Sequence, residues 1–138
     1  MSVFTDKEIA YLQSQRLARF ATVRPGGTPQ IAPVGFRYDA EQDVIYIGGR
    51  YLSRSKKFRN ILTNPHVSLV IDDVLPPWQP RGVEIRGIAD PVESGGNALF
   101  GTNYPVDEAM IRLTPVRIIG WGLDPEAGWL HTRRVEHI

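Results

Sequence analysis

The residues best suited to chemistry are concentrated in one stretch. Arg50–Asn60 reads Arg-Tyr-Leu-Ser-Arg-Ser-Lys-Lys-Phe-Arg-Asn and holds five cations, and no Asp or Glu occurs between Val44 and Ile71. Gly48, Gly49, Ser53 and Ser55 stand at or before a predicted helix start. A helix N-terminus offers unpaired backbone N–H groups and a partial positive charge. A serine there caps the helix or donates to a phosphate oxygen. Lysine and arginine add charge-assisted bonds to the same anion. Without an anion, each cation opposes the helix dipole at a cost of about a few tenths of a kcal/mol. The stretch therefore reads as a phosphate grip, with a solvated basic face as the alternative.

The neighbouring signals are less specific. Gly48 and Gly49 follow an apolar run and either admit a ligand to the backbone or simply release a strand. Pro33-Val34-Gly35 either exposes backbone beside a planar ring or forms a bulge. Trp78, within Leu75-Pro76-Pro77-Trp78-Gln79-Pro80, stacks on a ligand, enters a subunit interface or packs locally. Trp121 reads as core, and Trp129 carries no signal.

Other chemistries find no support. Cysteine is absent, which excludes disulfides, thiolate metal sites and Cys nucleophiles. His66, His131 and His137 are not spaced as a zinc pair, and no HExxH occurs. His66 reads as a surface residue. There is no Gly-x-Ser-x-Gly elbow, no P-loop and no Gly-x-Gly-x-x-Gly. Asp72-Asp73 and Asp107-Glu108 read as solvated turn or cap residues. No catalytic side chain and no metal set is identified.

The 138 residues make one domain, 1–138, with a net charge of +1. A hydrophobic fraction of 42% and a charged fraction of 22% exclude disorder. The charge balance, and the lack of aromatic–basic interleaving beyond Tyr51 and Phe58, argue against nucleic-acid binding. Thirteen Arg against three Lys fits genome composition or recognition of planar anions such as phosphate. No apolar run approaches the ~18 residues of a membrane span, and the opening residues lack signal-peptide character. A soluble, cytoplasmic protein is expected; the missing cysteine fits a reducing compartment.

The elements that must hold these residues are mostly strands. Thr5 and Glu8 form a capping box before a short helix over 6–15. Strands are predicted at 18–23, 28–38 and 44–47, joined by polar turns as an antiparallel meander. Phe58, Ile61 and Leu62 give a helix over 55–63 one buried face, and Asn64-Pro65 ends it. Residues 67–71 are a central strand, 72–80 a proline-rich loop and 82–92 a strand. Residues 94–106 are irregular, and 93–106 form either a lid or a surface excursion. Two strands, 110–113 and 116–123, are interrupted at Pro115. Hairpin-linked strands with few helices favour a small barrel.

This arrangement resembles the pyridoxamine 5′-phosphate oxidase-like split β-barrel superfamily over about residues 5–123. The resemblance rests on PQIAPVGFRYD, VIYIGG, RSKKFRNILTNPHVSLVIDD, RGVEIRGIAD and VRIIGWGL. It implies a mainly β, FMN-binding-like split barrel with two or three short helices in a single domain. It also implies a homodimer with the cofactor in a groove between chains. Carried over residue by residue, it sets Ser55, Lys57 and Asn60 at or near the cofactor, and more loosely Arg54, Lys56 and Arg59. Pro33, Val34 and Gly35 then line the ring, Gly48 is a further cofactor-binding residue, and Trp78 shapes an acceptor pocket. Oxidases that make pyridoxal phosphate hold FMN through an Arg and a Lys on the second strand. Alignment on Tyr38-Asp39 gives Ile31 and Phe36 there. Their Tyr-Thr-Asn after the third strand reads Tyr46-Ile47-Gly48, and their C-terminal substrate-binding segment has no counterpart. RSKKFRN, DDVLPPW and IRG make the chain more similar to the actinobacterial branch that binds the deazaflavin coenzyme F420. The implied activity is hydride transfer between reduced F420 and an unsaturated or quinone-like small molecule. The alternatives are an FMN-dependent oxidase or reductase, and a flavin- or deazaflavin-binding protein without turnover.

Overall fold

A computed structural model describes residues 1–101 and 104–136. Period-two alternation builds its barrel. Strand β1 (Leu17–Val23) buries Ala18, Phe20 and Thr22 and turns Leu17, Arg19, Ala21 and Val23 outward. Strand β2 (Pro29–Asp39) buries Val34 and Phe36 and turns Ile31, Pro33, Gly35 and Arg37 outward. Strand β3 (Val44–Gly48) is buried on both faces. Ile45 and Ile47 join the main core; Val44 and Tyr46 pack with Met110 under Val92 and Phe100. Strands β4 (His66–Leu75), β5 (Gln79–Val92) and β6 (Met110–Trp121) complete the core with Leu69, Ile71, Val83, Ile85, Ile111, Leu113 and Ile118. The order β3-β2-β1-β4-β5-β6, closed by β3–β6 pairing, is an antiparallel six-stranded barrel. Strand β7 (Leu130–Arg134) adds to β6 from outside.

The split lies within β6. Its first half pairs with β3, Ile45 opposite Leu113, and its second half with β7, Trp121 opposite Leu130. At the change of partner, Arg86 faces Arg117 but Gly87 faces Pro115, so Val116 is an extra residue. Pro115 has no N–H for the ladder. A Cβ on Gly87 would meet the Thr114 carbonyl oxygen at 2.1 Å, so the backbones can close only on glycine. The two strands expected around Pro115 are thus one bulged strand.

Three further expectations are corrected. The proline-rich loop at 72–80 is largely paired as a hairpin, down to Leu75 opposite Gln79, and its tip carries a cis Pro76-Pro77 bond. Helix α3 (Gly96–Phe100) stands within the segment expected to be irregular. Strand β7 was not expected; polar outward residues give it no apolar run to read.

Helix α1 (Asp6–Ser14) has its capping box: the Thr5 hydroxyl accepts from Glu8 N at 3.1 Å, and Thr5 N donates to Glu8 Oε1 at 2.8 Å. Glu8 is only 3% exposed, and Arg133 of β7 grips it with bonds of 2.6 and 3.0 Å. Helix α2 (Lys56–Thr63) buries Asn60 and Ile61 and half-buries Phe58, while Leu62 is 59% exposed. The expected Phe58–Ile61–Leu62 face is therefore rotated. The Asn60 amide turns it, donating to Thr22 Oγ1 at 3.0 Å and Gln30 Oε1 at 2.8 Å. Among the described residues, no helix is long and apolar enough to cross a membrane, and no cluster of metal ligands occurs.

Candidate functional site

A cavity of about 870 Å³ opens where the outward face of β2 meets the end of β3. Its floor is Pro33, Val34 and Gly35. Gly48, Gly49 and Arg50 close one side, Lys57 enters from the start of α2, Gln13 comes from the last turn of α1, and Gln15 and Arg16 come from the turn after it. Phe100 and Tyr104 form the remaining wall. Nothing lies within 4 Å of the point where a Gly35 Cβ would stand, so the floor there is bare backbone open to a flat partner. A Cβ on Gly48 would sit 2.6 Å from the Phe100 ring, so that glycine lets Phe100 close over the strand end.

Among the described residues, the lining holds Arg16, Arg37, Arg50 and Lys57 and no carboxylate. Lys57 is half-buried, and burial lowers its pKa from the ordinary 10.5. Two smaller grooves continue from it. One, of about 210 Å³, is shared by Ile31, Ala32, Lys56 and Lys57; the next, of about 330 Å³, is lined by Arg24, Gln30, Lys56 and Arg59 with Asn60. Six of the sixteen Lys and Arg form ion pairs, all through Lys7, Arg19, Arg81, Arg86, Arg112 and Arg133. Of the ten left without a carboxylate at ion-pair distance among the described residues, seven line this trough of three neighbouring cavities, which share Lys57, Lys56 and Gln30 in their walls. Such segregation disfavours an empty site and favours an anion in it.

The sequence-predicted residues divide into groups. Pro33, Val34, Gly35, Gly48 and Lys57 meet in the main cavity. Lys56, Arg59 and Asn60 face the side grooves. Ser55 caps α2, accepting from Phe58 N at 3.3 Å and donating to Leu52 O at 2.6 Å. Arg54 lies over the Tyr51 ring at 5.4 Å, outside the cavity. Trp78 is 73% exposed at the β4–β5 hairpin tip, away from this chain's cavity. The stretch that is acid-free in sequence meets an acid in space. Asp107 Oδ2 accepts from Ser53 N and Ser53 Oγ at 3.0 and 2.9 Å, and these bonds hold its carboxyl below the usual range. Glu108 Oε1 accepts from Asn97 N at 2.9 Å, so both acids act as caps. Asp73 differs from its expected turn role: Arg81 pairs with it at 2.8 Å on β4, and Tyr11 donates to it at 2.8 Å. His66 is exposed; His137 lies outside the described residues.

Arg16, Arg37 and Phe100 were missed as cavity residues, whereas Arg50 was read as part of the basic stretch. Alternation along β2 would have found Arg37. Alignment on Tyr38-Asp39 pointed to Phe36, which faces the core, whereas its neighbour Arg37 shares the outward side with Pro33 and Gly35.

Residues 4–122 match the family described as pyridoxamine 5′-phosphate oxidase. A 5a,11a-dehydrotetracycline/5a,11a-dehydrooxytetracycline reductase of Streptomyces rimosus is 43% identical over 123 residues, 88% of this chain and 84% of that protein. A solved structure described as an F420 reductase superposes with a TM-score of 0.66 at 26% identity, over 83% of this chain and 98% of that one. The FAD-binding protein of Mycobacterium smegmatis shares the fold, with a TM-score of 0.63 at 19% identity over 98% of this chain and all of that one (100%). The matched span takes in the barrel, the floor of the cavity and the basic helix start: the chain belongs to the pyridoxamine 5′-phosphate oxidase family.

Proposed function

We propose that this chain is an oxidoreductase working through bound coenzyme F420, with FMN as the alternative carrier on the same barrel. One observation carries the reading: a cavity without a carboxylate among its described lining residues, whose bare Pro33–Gly35 floor ends at half-buried Lys57, which has no described carboxylate at ion-pair distance. That shape and charge suit a planar ring joined to a phosphate. Lys57 would take the phosphate, with Lys56 and Arg59 supporting it from the adjoining grooves and Arg54 adding charge nearby. Ser55 and Asn60 fix the helix start that aims Lys57. Pro33, Val34, Gly35 and Gly48 would lie along the ring.

The cofactor, when bound, supplies the hydride chemistry. The protein binds and orients it and excludes water, a division that requires no side-chain nucleophile. The reductase relative and the F420 reductase fold support the reaction type, and the FAD-binding relative supports a flavin. An unsaturated or quinone-like polycycle is the acceptor this reading favours, since the Streptomyces relative reduces a dehydrotetracycline.

A homodimer belongs to the same reading. Beside the cavity, β1 and β2 turn Leu17, Ala21, Val23, Ile31 and Pro33 outward, an apolar strip that a two-fold partner would cover. Trp78 would then reach the partner's cavity. A cytoplasmic location belongs to the same reading; the absence of cysteine from the sequence fits a reducing compartment.

The test is parallel titration with FMN and F420, followed by absorbance loss of the reduced carrier across a panel of enones and quinones. Tight F420 binding with oxidation by a panel member is expected. FMN binding alone would transfer the reading to the flavin; F420 binding without any turnover would leave a carrier protein; binding of neither overturns the proposal.

A further inference from the structure

A phosphate at Lys57 leaves three arginines of the main cavity without a task. The outward residues of β2 run Ile31, Pro33, Gly35, Arg37. Lys57 shares a groove with Ile31 and Ala32, at one end of that row, and Arg37 stands at the other. Along a strand, Arg37 is about 7 Å from Gly35. Arg16 and Arg50 join Arg37 in the cavity from separate elements. Building on the cofactor reading above, we propose that Arg37, helped by Arg16 and Arg50, selects an acceptor that is itself an anion: a planar unsaturated ring bearing an oxyanion.

Arg37 is already ordered for this. One guanidinium nitrogen donates to Phe36 O at 2.9 Å, and the group lies over Phe100 at 5.1 Å. A guanidinium has five N–H donors, so donors remain for a ligand at little further entropic cost. The contrast with Arg19 is direct. Arg19 stands opposite Pro33 on the same outward surface, yet Asp72 neutralises it at 2.7 Å. No described carboxylate lies at ion-pair distance from Arg37, Arg16 or Arg50. Three like charges converging on one cavity repel unless an anion enters.

The test uses anthraquinone-2-carboxylate and its methyl ester as a matched pair, titrated calorimetrically into the chain with and without cofactor. The carboxylate is expected to bind about tenfold more tightly than the ester. Arg37→Gln should abolish that preference and leave cofactor affinity unchanged. Arg117→Gln, which removes an arginine outside the trough that donates to Thr132 Oγ1 at 3.3 Å, should retain the preference. Equal binding of the two quinones, or a preference that survives Arg37→Gln, overturns the inference. So does loss of cofactor affinity in Arg37→Gln, which would assign the arginine to the cofactor. If Arg37→Gln fails to fold, Arg16→Gln and Arg50→Gln carry the same expectation. The quinone preference is readable on cofactor-free protein, so a failure of the cofactor reading shows separately, as absence of FMN and F420 binding.

Discussion

Lys57 is a cation held half out of water with no carboxylate among the described residues to repay the desolvation, and two opposite pH effects follow. Burial depresses its folded-state pKa below 10.5, the value that the unfolded chain restores. In the window below 10.5 the unfolded chain therefore holds more protons, and this residue makes stability rise with pH. A phosphate needs the charged form, so cofactor affinity should fall with pH across the same window. Lys57→Ala should weaken cofactor binding by about 1–3 kcal/mol and remove both slopes, which titrations at stepped pH and parallel melts would measure. The basic stretch was plain in the sequence; its division among three grooves was not. Successive helical side chains are about 100° apart, so Lys56 and Lys57 share only the middle groove. Arg16, Arg37 and Phe100 reach the cavity through sheet pairing and chain return, which local spacing cannot reveal.

Among the elements, β7 is held to the barrel from α1. Glu8 belongs to the Thr5 capping box and also takes both Arg133 bonds, and Arg133 donates further to Val3 O at 2.7 Å. Glu8→Ala should cost about 2–4 kcal/mol, because it removes a cap and strands a half-buried cation; Arg133→Met in the same chain should recover part of it. Denaturant unfolding of the two variants gives both values. At the β6 bulge, Gly87→Ala should cost about 1–3 kcal/mol by the same measurement, since its Cβ would strike backbone rather than a movable side chain. The capping box was legible because it is local. The partner of Glu8 was not, being 125 residues away. Pro115 gave the right signal and the wrong meaning: a missing N–H marks a bulge as readily as a strand end.

For the whole molecule, six strands closing through β3–β6 leave the outer surface of β1 and β2 as the broad apolar exposure beside the site. Ile31 is 69% exposed there. Ile31→Glu should shift the protein toward monomer in analytical ultracentrifugation and lower cofactor affinity with it, whereas an unchanged mass would dissociate the strip from assembly. The barrel itself could be read from alternating strands and hairpin turns, because side-chain parity is written residue by residue. Which outward face stays apolar emerges only when β1, β2 and β4 lie side by side.

The sorting of the cations has a kinetic consequence. Because no ion-paired cation among the described residues lines the trough, its unneutralised cations project a lopsided field that a net charge of +1 understates. An approaching dianion is drawn in before contact, so its capture rate should drop as ionic strength shortens the Debye length toward about 10 Å at 0.1 M. Its escape rate should change far less.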